Sequence, residues 1–195
     1  MHLSARCVPF LKIGLLSAAA LGAACSKHEP SAAVQRSPVE RGAYLSTIGG
    51  CNDCHSPKLF GPNGPEIDKS RLLSGFPATS KLPPVPAGVI APDQWGALAS
   101  NDLTAWAGPW GVSYAMNLTP DATGLGDWTS EIFIKAMRTG KHAGTGRPIL
   151  PPMPWASIGQ LSDDDLNALF AYLKSLSPVS NRVPAPTPPS GSAPG

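Results

Sequence analysis

The chain has 195 residues, of which 23 are Pro and 20 are Gly, and only 14% are charged. So many backbone breakers exclude a long coiled coil or a helical repeat array, and so little charge excludes a basic nucleic-acid binder. The length suits one domain with tails, built with long loops.

Residues 1–24 carry the pattern of an export signal. Arg6 and Lys12 are their only charges, and an apolar run from Ile13 ends in Gly22-Ala23-Ala24. A positive segment, an apolar segment and a small-residue cleavage site, in that order, direct secretion. Leu21-Gly22-Ala23-Ala24-Cys25 also resembles a bacterial lipobox, with the Leu one place further from the cysteine than usual. Cleavage before Cys25 then leaves a lipidated cysteine that attaches the chain to a membrane on the periplasmic side. Removing 1–24 takes two of the 15 Lys and Arg and none of the 13 Asp and Glu, leaving 13 against 13. Residues 25–36 read as a polar tether and 179–195, rich in Pro, Ser and Gly, as a disordered tail. The folded domain is expected over 37–178.

Ser37-Pro38-Val39-Glu40 reads as a capping box with Pro at the first helical position, and predicts a helix to about Gly49. That helix delivers the chain to Cys51-Asn52-Asp53-Cys54-His55. Exported chains normally pair their cysteines in disulfides, but this one has no second pair to build a framework from. C-x-x-C-H is instead the attachment signature of c-type haem. Positions i, i+3 and i+4 share one helical face. Both thiols can therefore add to the two vinyl groups of one haem while the His55 imidazole points at the iron. A thioredoxin-like pair would need a surrounding βαβ pattern, and a zinc site two more ligands at matched spacing; the sequence offers neither.

Residues 56–116 form a long stretch with Pro83-Pro84-Val85-Pro86 and Trp95, Trp106 and Trp110. Long irregular loops usually count against an assignment, but a haem offers apolar surface for them to cover. Two short helices are expected near 92–99 and 101–107. The tryptophans either fill space over the haem edge or, as aromatic anchors, dock a partner.

A second helix is predicted from about Thr129 to Thr139, stopped by Gly140. A third starts at the N-cap Ser162, with Asp163, Asp164 and Asp165 favourable to its dipole. Leu166, Leu169, Phe170, Leu173 and Leu176 recur on one side of it, and Ser177-Pro178 ends it. Three methionines follow the haem motif. Met137 falls on the apolar face of the second helix and reads as core. Met116, before a turn-rich stretch, reads as core or ligand. Met153 lies in Pro151-Pro152-Met153-Pro154-Trp155, where flanking prolines hold the chain extended and let it present a thioether rigidly. Met153 is the expected sixth ligand; a second axial histidine, His142, is the lesser alternative.

Helix, C-x-x-C-H, loops, helix, Pro-rich Met loop and final helix is an order that resembles the class I cytochromes c. Asn117-Leu-Thr-Pro-Asp121, Gly124-Leu-Gly-Asp-Trp128 and Pro152-Met153-Pro154-Trp155 are similar to segments of bacterial monohaem cytochromes, among them cytochrome subunits of periplasmic dehydrogenases. The likeness runs from about Ser37 to Pro178. It implies an all-α fold of three main helices and long loops around one covalent haem c, the first helix crossing the last with Gly42 and Ala43 close to Phe170 and Leu173. It implies thioethers at Cys51 and Cys54 and axial ligands His55 and Met153. A proline carbonyl, here Pro109 in preference to Pro62, would accept from the other nitrogen of His55, and Arg147 or Trp155 would hold a haem propionate.

The expected function is electron transfer in the periplasm, without catalysis of its own. The expected partners are redox proteins: a periplasmic dehydrogenase on one side, a terminal oxidase or second cytochrome on the other, and no nucleic acid. The alternative is a haem enzyme or gas sensor of peroxidase type, which requires an open sixth position and a placed acid or base.

Overall fold

The computed structural model describes residues 36–189. The expected signal segment, Cys25 and nearly all of the tether lie outside them. Among the described residues no helix is long and apolar enough to cross a membrane.

The three helices fall where their caps place them. Helix α1, Pro38–Ile48, starts with the full Ser37/Glu40 capping box, which satisfies two orphan N–H groups reciprocally. Helix α2, Cys51–His55, follows after a turn through Gly50 in the left-handed region. Helix α3, Ser130–Thr139, is capped by Thr129 and stopped by Gly140, also left-handed. After the short α4, Trp155–Ile158, helix α5 runs over Asp163–Ser175, with the Ser162 side chain accepting from the Asp165 N–H.

The core lies between these helices. Leu166, Leu169, Phe170 and Leu173 of α5 pack with Phe133, Ala136 and Met137 of α3, and with Leu73 and Leu125 from the connecting segments. The Phe133 and Phe170 ring centroids are 5.5 Å apart. Helix α1 packs against α5 as expected, but the close approach falls at other residues than Phe170 and Leu173. Gly42 meets Ala168 and Tyr172, and a Cβ there would sit 2.0 Å from the Ala168 carbonyl oxygen. Arg41 Nε reaches Asp165 Oδ1 at 2.9 Å beside that contact.

The fold is mixed rather than all-α, and this corrects the sequence expectation. Strands β1, Lys58–Gly61, and β2, Gly64–Ile67, form an antiparallel hairpin. Strands β3, Leu98–Ala99, β4, Ala105–Gly108, and β5, Gly111–Tyr114, form an antiparallel sheet in that order. The helices expected near 92–99 and 101–107 are absent; turns and strands β3 and β4 stand there. The reason is local. Gly108-Pro109-Trp110-Gly111 and Gly61-Pro62-Asn63-Gly64 each close two strands through a two-residue loop, and loops of that length select hairpins. Pro and Gly density that reads as loop is here turn punctuation between short strands.

The expected disordered tail also needs correction over 179–189, which pack on the domain. Asn181 is 5% exposed, and Thr187 pairs antiparallel with Val112.

Gly42→Ala should destabilise the protein by about 1–3 kcal/mol, the usual cost of overpacking. Urea denaturation should show a lower midpoint at unchanged slope.

Candidate functional site

The single turn of α2 sets the chemistry. His55 is 8% exposed, and its Nδ1 lies 2.8 Å from the Met116 carbonyl oxygen. A carbonyl only accepts, so the ring proton sits on Nδ1 and Nε2 keeps its lone pair. Burial pushes the imidazole below its ordinary pKa, against the raising effect of the Met116 bond. The ring is therefore neutral at neutral pH, the form that ligates metals.

The partner of Nδ1 is not Pro109, which corrects that expectation. Pro109 sits in the two-residue loop joining β4 to β5. The chain must traverse β5 before it reaches the histidine, so the carbonyl of Met116 arrives there.

Cys51 and Cys54 form no disulfide. Burial raises both pKa values, although the Ser46 hydroxyl at Cys51 and Lys58 at Cys54 pull the other way. Redox-active C-x-x-C pairs carry a lowered thiol pKa; this pair has the opposite.

Cys54 and His55 open onto a cleft of about 870 Å³, the open solvent at its mouth included. One wall is sheet and following chain: Trp106, Ser113, Tyr114 and Met116. A second is α3, through Phe133 and Met137. A third is the segment containing Arg147, Pro151, Pro152 and Met153. The lining is mostly apolar. A neutral histidine with a free Nε2, Cys54 beside it and apolar walls fit a planar, largely apolar macrocycle holding iron; Cys51, one helical turn back, packs against the core and lies outside the lining.

Met116, Met137 and Met153 all line the cleft. Met137 is also core, 7% exposed on α3. The Met153 segment is fixed from outside: the Ser113 hydroxyl donates to the Pro151 carbonyl at 2.6 Å, and Trp110 Nε1–H donates to that same hydroxyl at 3.1 Å.

Arg147 lines the cleft. Among the described residues its guanidinium has only the neighbouring Pro148 carbonyl as partner, at 3.2 Å. Trp155 does not line the cleft. Its indole covers Gly140, where a Cβ would lie 2.5 Å from the ring, so the expected propionate role does not fall to it. The three loop tryptophans divide: Trp106 faces the cleft, Trp110 braces Ser113, and Trp95 is 66% exposed.

His142, the lesser axial alternative, lines the cleft with its ring edge-on to Trp128, centroids 5.3 Å apart. Sequence reasoning missed several other lining groups. Trp128 had a signal, since it lies in a segment that carried the resemblance. Ser113, Tyr114 and Pro186 had none.

The family model for cytochrome c matches residues 39–177. The chain is similar to a subunit of the nicotinate dehydrogenase of Pseudomonas putida, 42% identical over 148 residues, covering 75% of this chain and 9% of that protein. It is similar to the gluconate 2-dehydrogenase cytochrome c subunit of Pantoea cypripedii, 33% identical over 72% of this chain and 24% of that protein. The fructose dehydrogenase cytochrome subunit of Gluconobacter japonicus is 30% identical over 74% of this chain and 23% of that protein. The chain thus spans about a tenth to a quarter of these relatives' length. The protein belongs to the cytochrome c family. It is an electron-transfer protein whose cofactor is covalently bound haem c, and Cys51, Cys54 and His55 stand in the attachment motif.

Changing both Cys51 and Cys54 to Ala should leave no haem on the polypeptide in a denaturing gel stained for haem peroxidase activity, while the wild type keeps a stained band.

Proposed function

We propose that this protein carries single electrons on one haem c whose iron is held by His55 and Met153, with thioethers at Cys51 and Cys54. The observation that carries the reading is the buried His55, with Nδ1 committed to Met116 and Nε2 free, sharing its cleft with a Met153 between prolines. Two other thioethers line that cleft, and both have competing duties. Met137 is committed to the α3 core. Met116 holds His55 through its own carbonyl, which ties its backbone to the histidine side.

When bound, the haem supplies a one-electron iron couple. The side chains fix how that couple behaves. Held between His55 and Met153, the iron would keep no site for a substrate, and little would rearrange when its charge changes. A thioether ligand raises the potential relative to a second imidazole. The apolar walls act in the same direction by disfavouring the extra positive charge of oxidised iron. Arg147 and His142 stand ready at the cleft for the propionates, Arg147 through charge-assisted hydrogen bonds.

The relatives are named as dehydrogenase subunits, which supports a dehydrogenase as electron donor to this chain and an electron carrier's role rather than a catalytic one. The acceptor in this reading is a terminal oxidase or a second cytochrome. The signal pattern of 1–24 and Cys25 support export to the periplasm and a lipid anchor. A formally neutral mature chain does not steer strongly charged partners from afar.

Met153→Ala tests the ligand assignment. The weak far-red band of oxidised haem with thioether ligation should be present in the wild type and completely lost in the variant. The reduced variant should bind carbon monoxide and the reduced wild type should not. A wild type that binds carbon monoxide rapidly would favour an open-site enzyme or sensor instead.

A further inference from the structure

Residues 179–189 lie beyond the family match, which ends at 177, yet they cross the domain as a strap fastened at three places. The first is Val179. Its N–H donates to Thr119 Oγ1 at 3.1 Å, and its carbonyl accepts from Asn117 Nδ2 at 2.8 Å. The second is the buried Asn181. Its side-chain amide donates to the Ser74 and Phe76 carbonyls, at 2.7 and 2.9 Å, and its side-chain oxygen accepts from the Ala78 N–H at 2.9 Å. The third is Thr187, which exchanges two hydrogen bonds with Val112, at 2.8 and 2.9 Å. This last contact requires Gly111: its φ is +91°, and a Cβ there would sit 2.0 Å from the Thr187 carbonyl oxygen. Between the second and third fastenings, Pro186 lines the cleft.

Each fastening ends next to a segment that bears on the iron. Asn117 follows Met116, whose carbonyl holds His55 Nδ1. Val112 precedes Ser113, whose hydroxyl holds the Pro151 carbonyl two residues before Met153. Ser74 and Phe76 flank Gly75, whose N–H donates to the His55 carbonyl at 2.7 Å. The strap thus bears on both sides of the cleft.

We propose that residues 179–189 are a working wall of the haem cleft that holds the His55 and Met153 segments together, and that Asn181 is the positioning residue that seats this wall. The proposal rests on the His55/Met153 reading. Asn181 suits the task because its amide both donates and accepts. An Ala there leaves the buried Ser74 and Phe76 carbonyls, and the N–H of the more exposed Ala78, without their partner. The cost of such a loss raises the population of the unfastened strap by about 5- to 150-fold. Unfastening leaves β5 held from the β4 side alone, and through Ser113 it loosens the hold on Met153.

The test uses three haem-loaded proteins: the full chain, its Asn181→Ala variant, and a chain ending at Pro178. Hydrogen exchange at the Val112 amide reports the strap directly. The rate at which imidazole displaces the sixth ligand of oxidised haem reports Met153. In both altered proteins Val112 should lose its protection, and imidazole should bind about 5- to 150-fold faster. Covalent haem and the far-red band in the absence of imidazole should be unchanged in Asn181→Ala, which a general loss of structure would not permit. If the shortened chain fails to fold, Asn181→Ala decides alone. Imidazole binding at the wild-type rate with Val112 unprotected overturns the strap proposal and leaves the ligand assignment standing. A wild type without the far-red band overturns the ligand assignment and the proposal's bearing on it; Val112 exchange then still decides whether Asn181 seats the strap.

Discussion

The hydrogen bond from His55 Nδ1 to the Met116 carbonyl is the interaction on which the site depends. It joins residues 61 positions apart and settles three matters together. It fixes the tautomer, it fixes the ring orientation, and it satisfies a polar group that burial would otherwise leave at a cost of about 1–3 kcal/mol. The same strip of chain is bound in parallel by backbone contacts. Phe76 N–H donates to the Ala115 carbonyl and Leu118 N–H to the Leu73 carbonyl. The segment 73–76 lies between the haem-motif turn and the segment 115–118, and Gly75 permits it. A Cβ at Gly75 would lie 2.4 Å from the Ala115 carbonyl oxygen, and its φ is +79°.

These contacts explain what the strands contribute that helices do not. A helix spends its carbonyls on its own N–H groups; extended chain leaves them free for neighbours. Met116, Leu73, Ala115 and Pro151 each accept from another segment in this way. Helices α1, α3 and α5 supply apolar faces and a rigid back to the cleft. The sheet and its flanking chain supply the carbonyls that aim the polar groups. The stretch 56–116 is therefore a functional part of the site, and it forms much of one wall.

Electrostatics at the cleft is sparse. His55 is kept neutral by burial, and Arg147 loses part of its preference for the charged form for the same reason. Among the described residues the ion pairs lie away from the cleft: Arg41 with Asp165 between α1 and α5, and Arg138 with Asp163 at the start of α5. Charge helps align the helices, and the cleft relies on shape, apolar contact and a few directed hydrogen bonds.

The amino-acid order alone determined the helices and the attachment chemistry, because both are written in short-range rules. Caps act over three or four residues, as at Ser37 and Ser162, and the two cysteines and histidine that take a haem are adjacent in one turn. What joined distant segments was decided only in three dimensions. Pro109 is the partner the sequence suggests for His55, but the β4–β5 hairpin carries it to a turn and brings the Met116 carbonyl to the ring. Trp155 is drawn away from the cleft because Gly140 leaves room for its indole. The residues after Pro178 have the composition of disorder, and they are ordered by partners such as Gly111, Asn117 and Ser74, far away in the chain. A lone Asn or Gly carries no local mark of such a contact, since its value arises only when a second segment comes to lie against it.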